Sequence, residues 1–278
     1  MRRYTLHIVL FILTVASTWV TWGPLYSIPI MLILLGHEMG HYFMSRRSGM
    51  KATLPFFLPL PLISPFGTLG AVIRMEGTIP SRKSLFDTGI AGPLISFFLS
   101  IPAVVVGLNL SKVIPGSQIK GEMIRLADPL LFTLIQHLVM LDVPSNYEVV
   151  LHPIAYAGWV GLFVTALNLL PIGQLDGGHI AYALFGRKTR KISVIVVAAT
   201  AFIFIFYSIA WFLLLILMIL FGFKHPTPLD DQTSLGTTRK FLGGMAFLIL
   251  LLSFTVAPFP DIPSVIDLID KGFSSLLK

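Results

Sequence analysis

Long stretches without charge are the feature that most limits what this chain can fold into. Five intervals contain no Asp, Glu, Lys or Arg, and each is at least as long as the roughly 20 residues that cross a bilayer as a helix. Only 12% of the 278 residues are charged, about half the share of a typical soluble domain. The sequence therefore predicts an α-helical polytopic membrane protein. The intervals lie between Arg3 and Glu38, Asp87 and Lys112, Glu148 and Asp176, Lys191 and Lys224, and Lys240 and Asp261.

The basic residues are grouped beside the apolar intervals. The formal net charge is +7, and much of it comes from four clusters: Arg2-Arg3, Arg46-Arg47, Arg82-Lys83 and residues 187–191. Short Lys/Arg clusters next to apolar spans are typical of the cytoplasmic side of a membrane protein. We therefore expect a multi-pass protein, in the cell membrane, with these clusters on the cytoplasmic face and no nucleic-acid partner. The chain contains no cysteine, which excludes disulfides.

The apolar intervals predict about six transmembrane helices. The first is also compatible with a signal peptide whose apolar core is 8–20, but the bulky TWVTWGP that follows is a poor cleavage site, so retention as a helix is favoured. The interval 192–223 is long enough for one tilted span or two short ones. A polar region at 109–148 is expected outside, with an amphipathic helix around 121–141. The predicted spans are 8–22, 29–46, 85–108, 152–170, 192–223 and 241–257.

The segment TLPFFLPLPLISPFGTLGAVIRMEGTIP is apolar but cannot be a spanning helix. Pro55, Pro59, Pro61 and Pro65 would each interrupt the helical hydrogen bonds. Extended backbone at membrane depth is tolerated only where it is buried in protein or lines a cavity. We therefore predict a membrane re-entrant or interfacial β-hairpin, of which GTLGAVIRME is the most strand-like part.

The stretch LLGHEMGHYFM places ionisable groups inside the second predicted span. His37 and His41 are four residues apart, so a helix presents them on one face. Two imidazoles at this spacing can bind one Zn²⁺, and Glu38 can accept a proton from a water that the metal activates. The alternative is a packed histidine pair with Glu38 reaching the membrane surface, which would cost a few kcal/mol in lipid.

A catalytic zinc needs a third protein ligand, and Asp176 is the best candidate. It is the only acidic residue between Glu148 and Asp230, and it follows a helix that returns to the side of His37. A helix-capping Asp at the membrane surface is the alternative. His179 is a rival ligand or a partner that supports the ligands from behind, although a surface histidine that caps the next helix is the favoured interpretation. Asn168 can donate a hydrogen bond to a substrate carbonyl or oxyanion, or simply cap its helix.

Two further histidines, His152 and His225, lie near predicted helix ends, where a structural role is the default interpretation, and His7 and His137 give no signal.

GHEMGH, followed far downstream by NLLPIGQLDGG, closely resembles the site-2 protease family of intramembrane zinc metalloproteases, peptidase family M50. FGTLGAVI, PSRKSLFDTGIAGPL and HPIAYAGWVGLFVTALNLLPIGQLDGGH extend the resemblance over about residues 30–231, and these longer matches are similar to the branch with chloroplast and cyanobacterial members. The resemblance implies one Zn²⁺ per chain held by His37, His41 and Asp176, with Glu38 as general base. It implies that Asn168 holds the substrate backbone and that the edge of the Pro-rich hairpin receives the substrate as an added strand.

The sequence departs from the family pattern in two places. Many members carry a PDZ domain between the two halves of the site, and the 109–148 region is too short for one. Some members carry Asn shortly after Gly-Pro on the third helix, whereas Leu-Ile-Ser follows Gly92-Pro93 here. We expect one integral-membrane metalloprotease domain over 1–278, with a family-type core at about 26–186 and additional C-terminal helices at about 192–257.

The resulting hypothesis is hydrolysis of a peptide bond within or near a transmembrane segment of a protein or peptide substrate in the bilayer. A zinc transporter or a non-catalytic zinc-binding scaffold is the alternative from another class, but the other spans lack the trail of acidic or His groups that a transporter needs. A membrane metalloprotease of another type, such as one that acts on prenylated peptides, would leave Asn168 and the hairpin unexplained. Neither the oligomeric state nor the natural substrate is indicated by the sequence.

Overall fold

The computed structural model describes residues 2–118, 124–140, 143–221 and 225–269. Helices dominate this part of the chain, and three short antiparallel strand pairs accompany them. Pro153 opens one helix at its first position, where a missing N–H costs nothing. The helices are α1 (Arg2–Trp22), α2 (Pro24–Arg47), α3 (Arg82–Asn109), α4 (Leu130–Met140), α5 (Pro153–Asn168), α6 (Asp176–Phe185), α7 (Thr189–Phe206), α8 (Phe212–Phe221) and α9 (Thr237–Ser253).

Three helices are long and apolar enough to cross a membrane. They are Tyr4–Trp22, Arg82–Asn109 and the nearly continuous α6–α7 segment Asp176–Phe206. Shorter apolar helices, Pro153–Asn168 among them, pack beside these three. The chain is therefore a mostly helical membrane protein, as the charge-free intervals predicted.

Helix α3 lies at the centre and packs through small residues on its neighbours. A Cβ added at Gly107 would overlap the backbone of Ala155, and one added at Gly158 would approach the backbone nitrogen of Val104. In the same way, Gly40 of α2 faces the Ala91 carbonyl. Small residues of this kind let helix backbones approach closely, which is how helices associate without a hydrophobic driving force in lipid. Helices α2, α3 and α5 thereby form one tightly packed unit.

The Pro-rich segment forms two short antiparallel pairs. Strand β1 (Lys51–Ala52) pairs with β4 (Met75–Glu76), and β2 (Phe56–Pro59) pairs with β3 (Thr68–Val72). The strand-like segment GTLGAVIRME indeed contains β3 and β4. The register shifts between Phe57 and Pro59, which bends the β2–β3 pair.

Side chains from three helices bind the turn between β2 and β3. The carbonyl of Pro65 accepts from Trp22 Nε1 at 2.7 Å and from the Tyr156 hydroxyl at 3.0 Å. The hydroxyl of Tyr26 donates to the next carbonyl, at 3.0 Å, and Ser17 donates to the carbonyl of Gly67. Backbone groups that a helix would pair internally are thus paired by side chains instead, which lets irregular backbone lie among apolar helices.

Several predicted boundaries and elements were wrong. Helix α1 begins at Arg2 rather than at about Ile8. Helix α2, expected to start after Pro29 or slightly earlier, begins at Pro24 and contains Pro29. The amphipathic helix begins only at Leu130, directly after Pro129, while 121–123 and 141–142 lie outside the described residues. The 192–223 interval, for which one tilted span and two short ones were both left open, divides at Tyr207–Ser208 into α7 and α8. Strands β5 (Lys112–Pro115) and β6 (Tyr147–Val150) pair across the polar region and were not predicted.

The basic end of α3 holds the segment 225–236 in place. Arg82 forms an ion pair with Asp231 at 3.1 Å, and its backbone nitrogen donates to the carbonyl of Asp230. Arg239, in the first turn of α9, makes a two-pronged contact with Asp87, with nitrogen–oxygen distances of 2.7 and 2.8 Å. These contacts fix the loop before α9 against the start of α3.

Candidate metal centre

The second half of α2 carries three polar side chains into the protein interior. His37, Glu38 and His41 expose only 4%, 6% and 6% of their surface. The four-residue spacing places both imidazoles on the face of α2 that packs against α3, as the helical period predicts. Buried ionisable groups need partners, so the contacts of each ring decide what this cluster can do.

Partners on α3 orient the two imidazole rings. His41 Nδ1 lies 2.8 Å from the Thr88 carbonyl, which can only accept, so Nδ1 carries the proton. His37 Nδ1 lies 3.0 Å from Ser96 Oγ, whose own hydroxyl has carbonyl acceptors one turn back along α3. The Ser96 oxygen is therefore free to accept from His37. In the neutral imidazoles both Nε2 lone pairs then point away from α3 backbone and toward one point.

The carboxylate of Asp176 completes a triangle with these two nitrogens. The two Nε2 atoms are 3.1 Å apart, and each lies 3.2 Å from Asp176 Oδ2. Three electron-pair acceptors at such distances repel one another unless a proton or a cation lies among them. Ligand atoms about 2.0–2.2 Å from a tetrahedral Zn²⁺ are roughly 3.3–3.6 Å apart, so the triangle is close to one face of a zinc site. Within the described part of the chain this is the one group of three or more metal-ligating side chains.

A tight loop after α5 brings Asp176 to the histidines. The backbone turns between Leu169 and Leu175, and α6 begins at Asp176 itself. A Cβ on Gly177 would overlap the Leu169 carbonyl, and one on Gly178 would overlap the Gly173 carbonyl. Glycine is required at both positions because α6 starts in direct contact with the loop that precedes it. The LDGG sequence is thus what allows a helix start to return so close to the end of α5.

Two glycines of α3 let both halves of the site approach that helix. A Cβ on Gly92 would overlap the His41 ring, and one on Gly89 would press on His179 Cβ and the Asp176 carbonyl. The GIAGPL segment therefore provides the flat surface on which α2 and α6 meet. Thr88 and Ser96, which orient the rings, belong to the same face of α3.

The two remaining predicted residues lie at the edge of the triangle. Asn168, the last residue of α5, places Nδ2 3.3 Å from His37 Nε2. The Glu38 carboxyl group is within hydrogen-bonding contact of the Ile73 backbone, immediately after β3. All five predicted site residues therefore meet in one place, between α2, α3, the end of α5 and the start of α6. Their chemical roles remain predictions.

His179 was wrongly expected at the surface. It exposes only 6% of its surface, and its Nδ1 lies 2.6 Å from Nε2 of His225. His225 Nδ1 lies 2.7 Å from the Pro226 carbonyl, so it carries the proton and leaves Nε2 to accept from His179. Burial lowers the pKa of His225, which keeps this ring neutral. His179 lies behind Asp176, outside the triangle of ligand atoms.

Sequence reasoning missed Thr88 and Ser96. Thr88 acts through its backbone carbonyl, which every residue carries, and single hydroxyls such as that of Ser96 are common in apolar helices, where they bond to their own backbone. One signal was present: Ser96 falls where the third helix departs from the Asn that some family members carry after Gly-Pro. The departure thus marked a residue in contact with His37.

Comparison with known proteins agrees with this geometry. The model of peptidase family M50 matches residues 25–213, a span from α2 to the start of α8 that includes the whole site. The chain belongs to peptidase family M50. Among M50-type relatives, it is 30% identical over 234 residues to "Probable zinc metalloprotease EGY1, chloroplastic" of Arabidopsis thaliana, which covers 81% of this chain and 41% of that protein.

A second relative gives the same picture. The chain is 28% identical over 250 residues to "Probable zinc metalloprotease EGY2, chloroplastic" of Oryza sativa subsp. indica, covering 86% of this chain and 44% of the relative. The chain thus spans about two fifths of the length of the curated relatives it matches. The family suspected from GHEMGH and NLLPIGQLDGG is confirmed.

Proposed function

We propose that this chain is an intramembrane zinc metalloendopeptidase that hydrolyses a peptide bond within or near a transmembrane segment of a membrane-protein substrate. One Zn²⁺ per chain is held by His37, His41 and Asp176. The observation that carries the proposal is the triangle of two Nε2 atoms and one carboxylate oxygen with edges of 3.1–3.2 Å. Three protein ligands leave a fourth position for chemistry, as in other catalytic zinc sites. The names of the relatives, which are zinc metalloproteases, support the choice of metal.

The bound ion would supply Lewis acidity, which polarises a carbonyl and lowers the pKa of water. Glu38 accepts a proton from the attacking water and delivers it to the leaving amine, so that the C–N bond breaks as the new C–O bond is completed. Burial of Glu38 keeps bulk water from competing for that proton. The Asn168 amide, beside His37, donates to the substrate carbonyl and holds the scissile bond in position.

Substrate enters as an extended strand beside β3 in this proposal. A helical substrate hides its carbonyls in its own hydrogen bonds, so the scissile segment must unwind and its backbone groups need new partners. Strand β3 pairs with β2 on one side, and no strand covers its other side in the described part of the chain. Ile73, which directly follows that strand, contacts Glu38, the proposed general base, and this supports the proposal. Strand addition then delivers a carbonyl directly to the site.

The proposed topology has about six spans and a hairpin that re-enters the membrane, within one domain over 1–278. The family-type core is 26–186, and the helices at 192–257 are additions to it. Thr88 and Gly92, which contact His41, lie six and ten residues along α3 from the basic cluster at Arg82, or about 9–15 Å at 1.5 Å per residue. That depth fits a site inside the cell membrane which receives water from the cytoplasmic face.

Membership in a peptidase family favours hydrolysis over zinc transport or storage, the alternative from the sequence. Hydrolysis and zinc transport differ in whether they require Glu38. A transporter or a scaffold needs only the ligands, whereas a hydrolase also needs a base next to them. The decisive experiment therefore removes the base and keeps the ligands.

The test is cleavage of a model single-span substrate in liposomes by the native chain and by Glu38→Gln. We expect the variant to retain zinc, measured by elemental analysis, and to lose about 10²–10⁴-fold in cleavage rate, the usual contribution of a general base. Glu148→Gln, which changes an exposed carboxylate on strand β6, is the matched control and should cleave normally. Full cleavage by Glu38→Gln would refute the mechanism, and zinc flux without cleavage by the native chain would favour transport.

A further inference from the structure

A cavity with several polar side chains in its lining lies behind the metal centre, at the junction of α6 and α7. Its volume is about 470 Å³, within the range of small-molecule sites. Gly173 and Tyr182 border it on the side of the Asp176 loop, and His225 borders it on the side of the segment before α9. The side chains used in the argument below are Arg187, Thr189, Arg190 and Ser193.

The lining of this cavity is positively charged. Arg187 and Arg190 line it, and within the described part of the chain neither forms an ion pair. No acidic side chain lines it. Asp231 lies close to Tyr182 and His225, which line the cavity, but its carboxylate is already paired with Arg82 at 3.1 Å. Two guanidinium groups therefore face the cavity with their charge uncompensated by protein.

A buried hydroxyl adds an independent sign of a ligand. Thr189 exposes only 4% of its surface, and its Oγ1 has no hydrogen-bond partner among the described residues. A buried polar group without a partner costs free energy, so most such groups are paired. Ser193, one helical turn further along the same wall, shows the usual arrangement and donates to the Pro171 carbonyl at 2.8 Å. The Thr189 hydroxyl is thus the one left to bind whatever enters.

We propose that this cavity binds the phosphate group of an anionic ligand. Arg187 and Arg190 supply planar guanidinium groups, which match phosphate oxygens two at a time, and Thr189 supplies a buried hydroxyl donor. Such a phosphate has two sources, the headgroup of an anionic phospholipid in the adjacent leaflet or a free phosphate compound from solution. Both use the same recognition chemistry, and the experiment below separates them.

The cavity borders the loop that carries Asp176. Gly173 of that loop lines the cavity, and Ser193 ties the preceding Pro171 to α7. An anion held by Arg187 and Arg190 therefore stiffens the wall against which the loop packs. This ligand site is separate from catalysis and does not depend on which reaction the metal centre performs.

The test uses the full chain in neutral detergent and in phosphatidylcholine vesicles with or without phosphatidylglycerol. Titration calorimetry measures binding of inorganic phosphate, and native mass spectrometry measures retained phosphatidylglycerol. The double variant Arg187→Gln, Arg190→Gln should bind about tenfold or more weakly, the loss typical of a charge-assisted hydrogen bond. Lys188→Gln, Lys191→Gln removes the same charge from the same segment without altering the lining and should bind like the native chain.

Each outcome decides the proposal. Phosphate binding lost only in the arginine variant supports a soluble ligand, and phosphatidylglycerol retention lost only in that variant supports a lipid headgroup. Equal losses in the arginine and lysine variants, or no binding of either probe by the native chain, would overturn it. If the arginine variant does not fold, Thr189→Val decides, because it keeps the shape and charge: weaker binding supports the site and unchanged binding rules it out.

Discussion

At the scale of single residues, the orientation of two imidazole rings controls the site. In both His37 and His41, Nδ1 forms a hydrogen bond with a partner on α3, so that Nε2 faces Asp176. Outer partners of this kind fix the tautomer of a metal-ligating histidine and raise its basicity. The alignment of the two halves of the site therefore depends on the face of α3 between Thr88 and Ser96.

Ser96→Ala removes the acceptor of the His37 Nδ1–H. We expect zinc affinity to fall about 10–100-fold, the usual effect of losing such a partner. Competition with a chromophoric chelator measures this directly on the purified chain. Ser100→Ala is the control, because Ser100 lies one turn further along α3 and its hydroxyl donates to the Ser96 carbonyl instead of accepting from a histidine. Equal affinities in the two variants would show that Ser96 does not support the metal.

Gly92→Ala introduces a methyl group where the His41 ring already lies. The ring or the helix must move, so we expect loss of bound zinc and of cleavage together. Gly244→Ala is matched to it, since Gly244 also lies in a helix but has no heavy atom within 4 Å of an added Cβ. That change should leave zinc content unaltered and raise thermal stability slightly, as Ala favours helix over Gly by about 1 kcal/mol. Normal zinc content in Gly92→Ala would contradict the close packing of α3 against His41.

At the scale of elements, the segment 225–236 is held by the His225 ring at its start and by the contacts of Asp230 and Asp231 with Arg82 in its middle. His225 stacks on Tyr182 with ring centres 4.6 Å apart and accepts from His179. Both contacts use the neutral ring. Protonation would place a charge against the buried His179, although Asp231 nearby offsets part of this cost.

Acid should therefore loosen this segment. Because burial lowers the pKa of the packed His225 below its ordinary value of 6.5, the detached segment binds a proton that the packed one excludes. The packing is fully stable above the ordinary pKa and weakens as the pH falls through that value toward the lowered one. Amide hydrogen exchange over 225–236, corrected for intrinsic rates, should increase in this window. His225→Gln should show no such step, and an identical step in that variant would assign it to another group.

The sequence predicted those elements whose cause is local. HExxH on an apolar helix and LDGG after a proline can each be recognised as parts of a site from the sequence alone. Polar residues and paired glycines are costly in such segments unless they serve a site. The features that the sequence did not predict depend on contacts between residues that are far apart along the chain. The burial of His179 depends on His225, which is 46 residues away, and strands β5 and β6 pair across more than thirty residues. Helix patterns also cannot reveal that Tyr207–Ser208 breaks an otherwise apolar run.

At the scale of the whole molecule, the proposed orientation places the α6–α7 junction and the β5–β6 pair on opposite sides of the membrane. The chain has no cysteine, so single cysteines can be introduced without removing others. Lys188→Cys and Tyr147→Cys both lie at exposed positions. A membrane-impermeant maleimide should label the first only in inside-out vesicles and the second only in right-side-out vesicles. Labelling of both from one side would overturn the proposed topology.

The long distance along the chain between the two halves of the triangle has a consequence for biosynthesis. His41 and Asp176 are 135 residues apart, and α3 and α5 must both be inserted before they meet. A nascent chain that has not yet released α6 from the ribosome holds only two of the three proposed ligands. On the proposed function, all three ligands can therefore hold the metal only after α2, α3 and α5 have been inserted and α6 has left the ribosome.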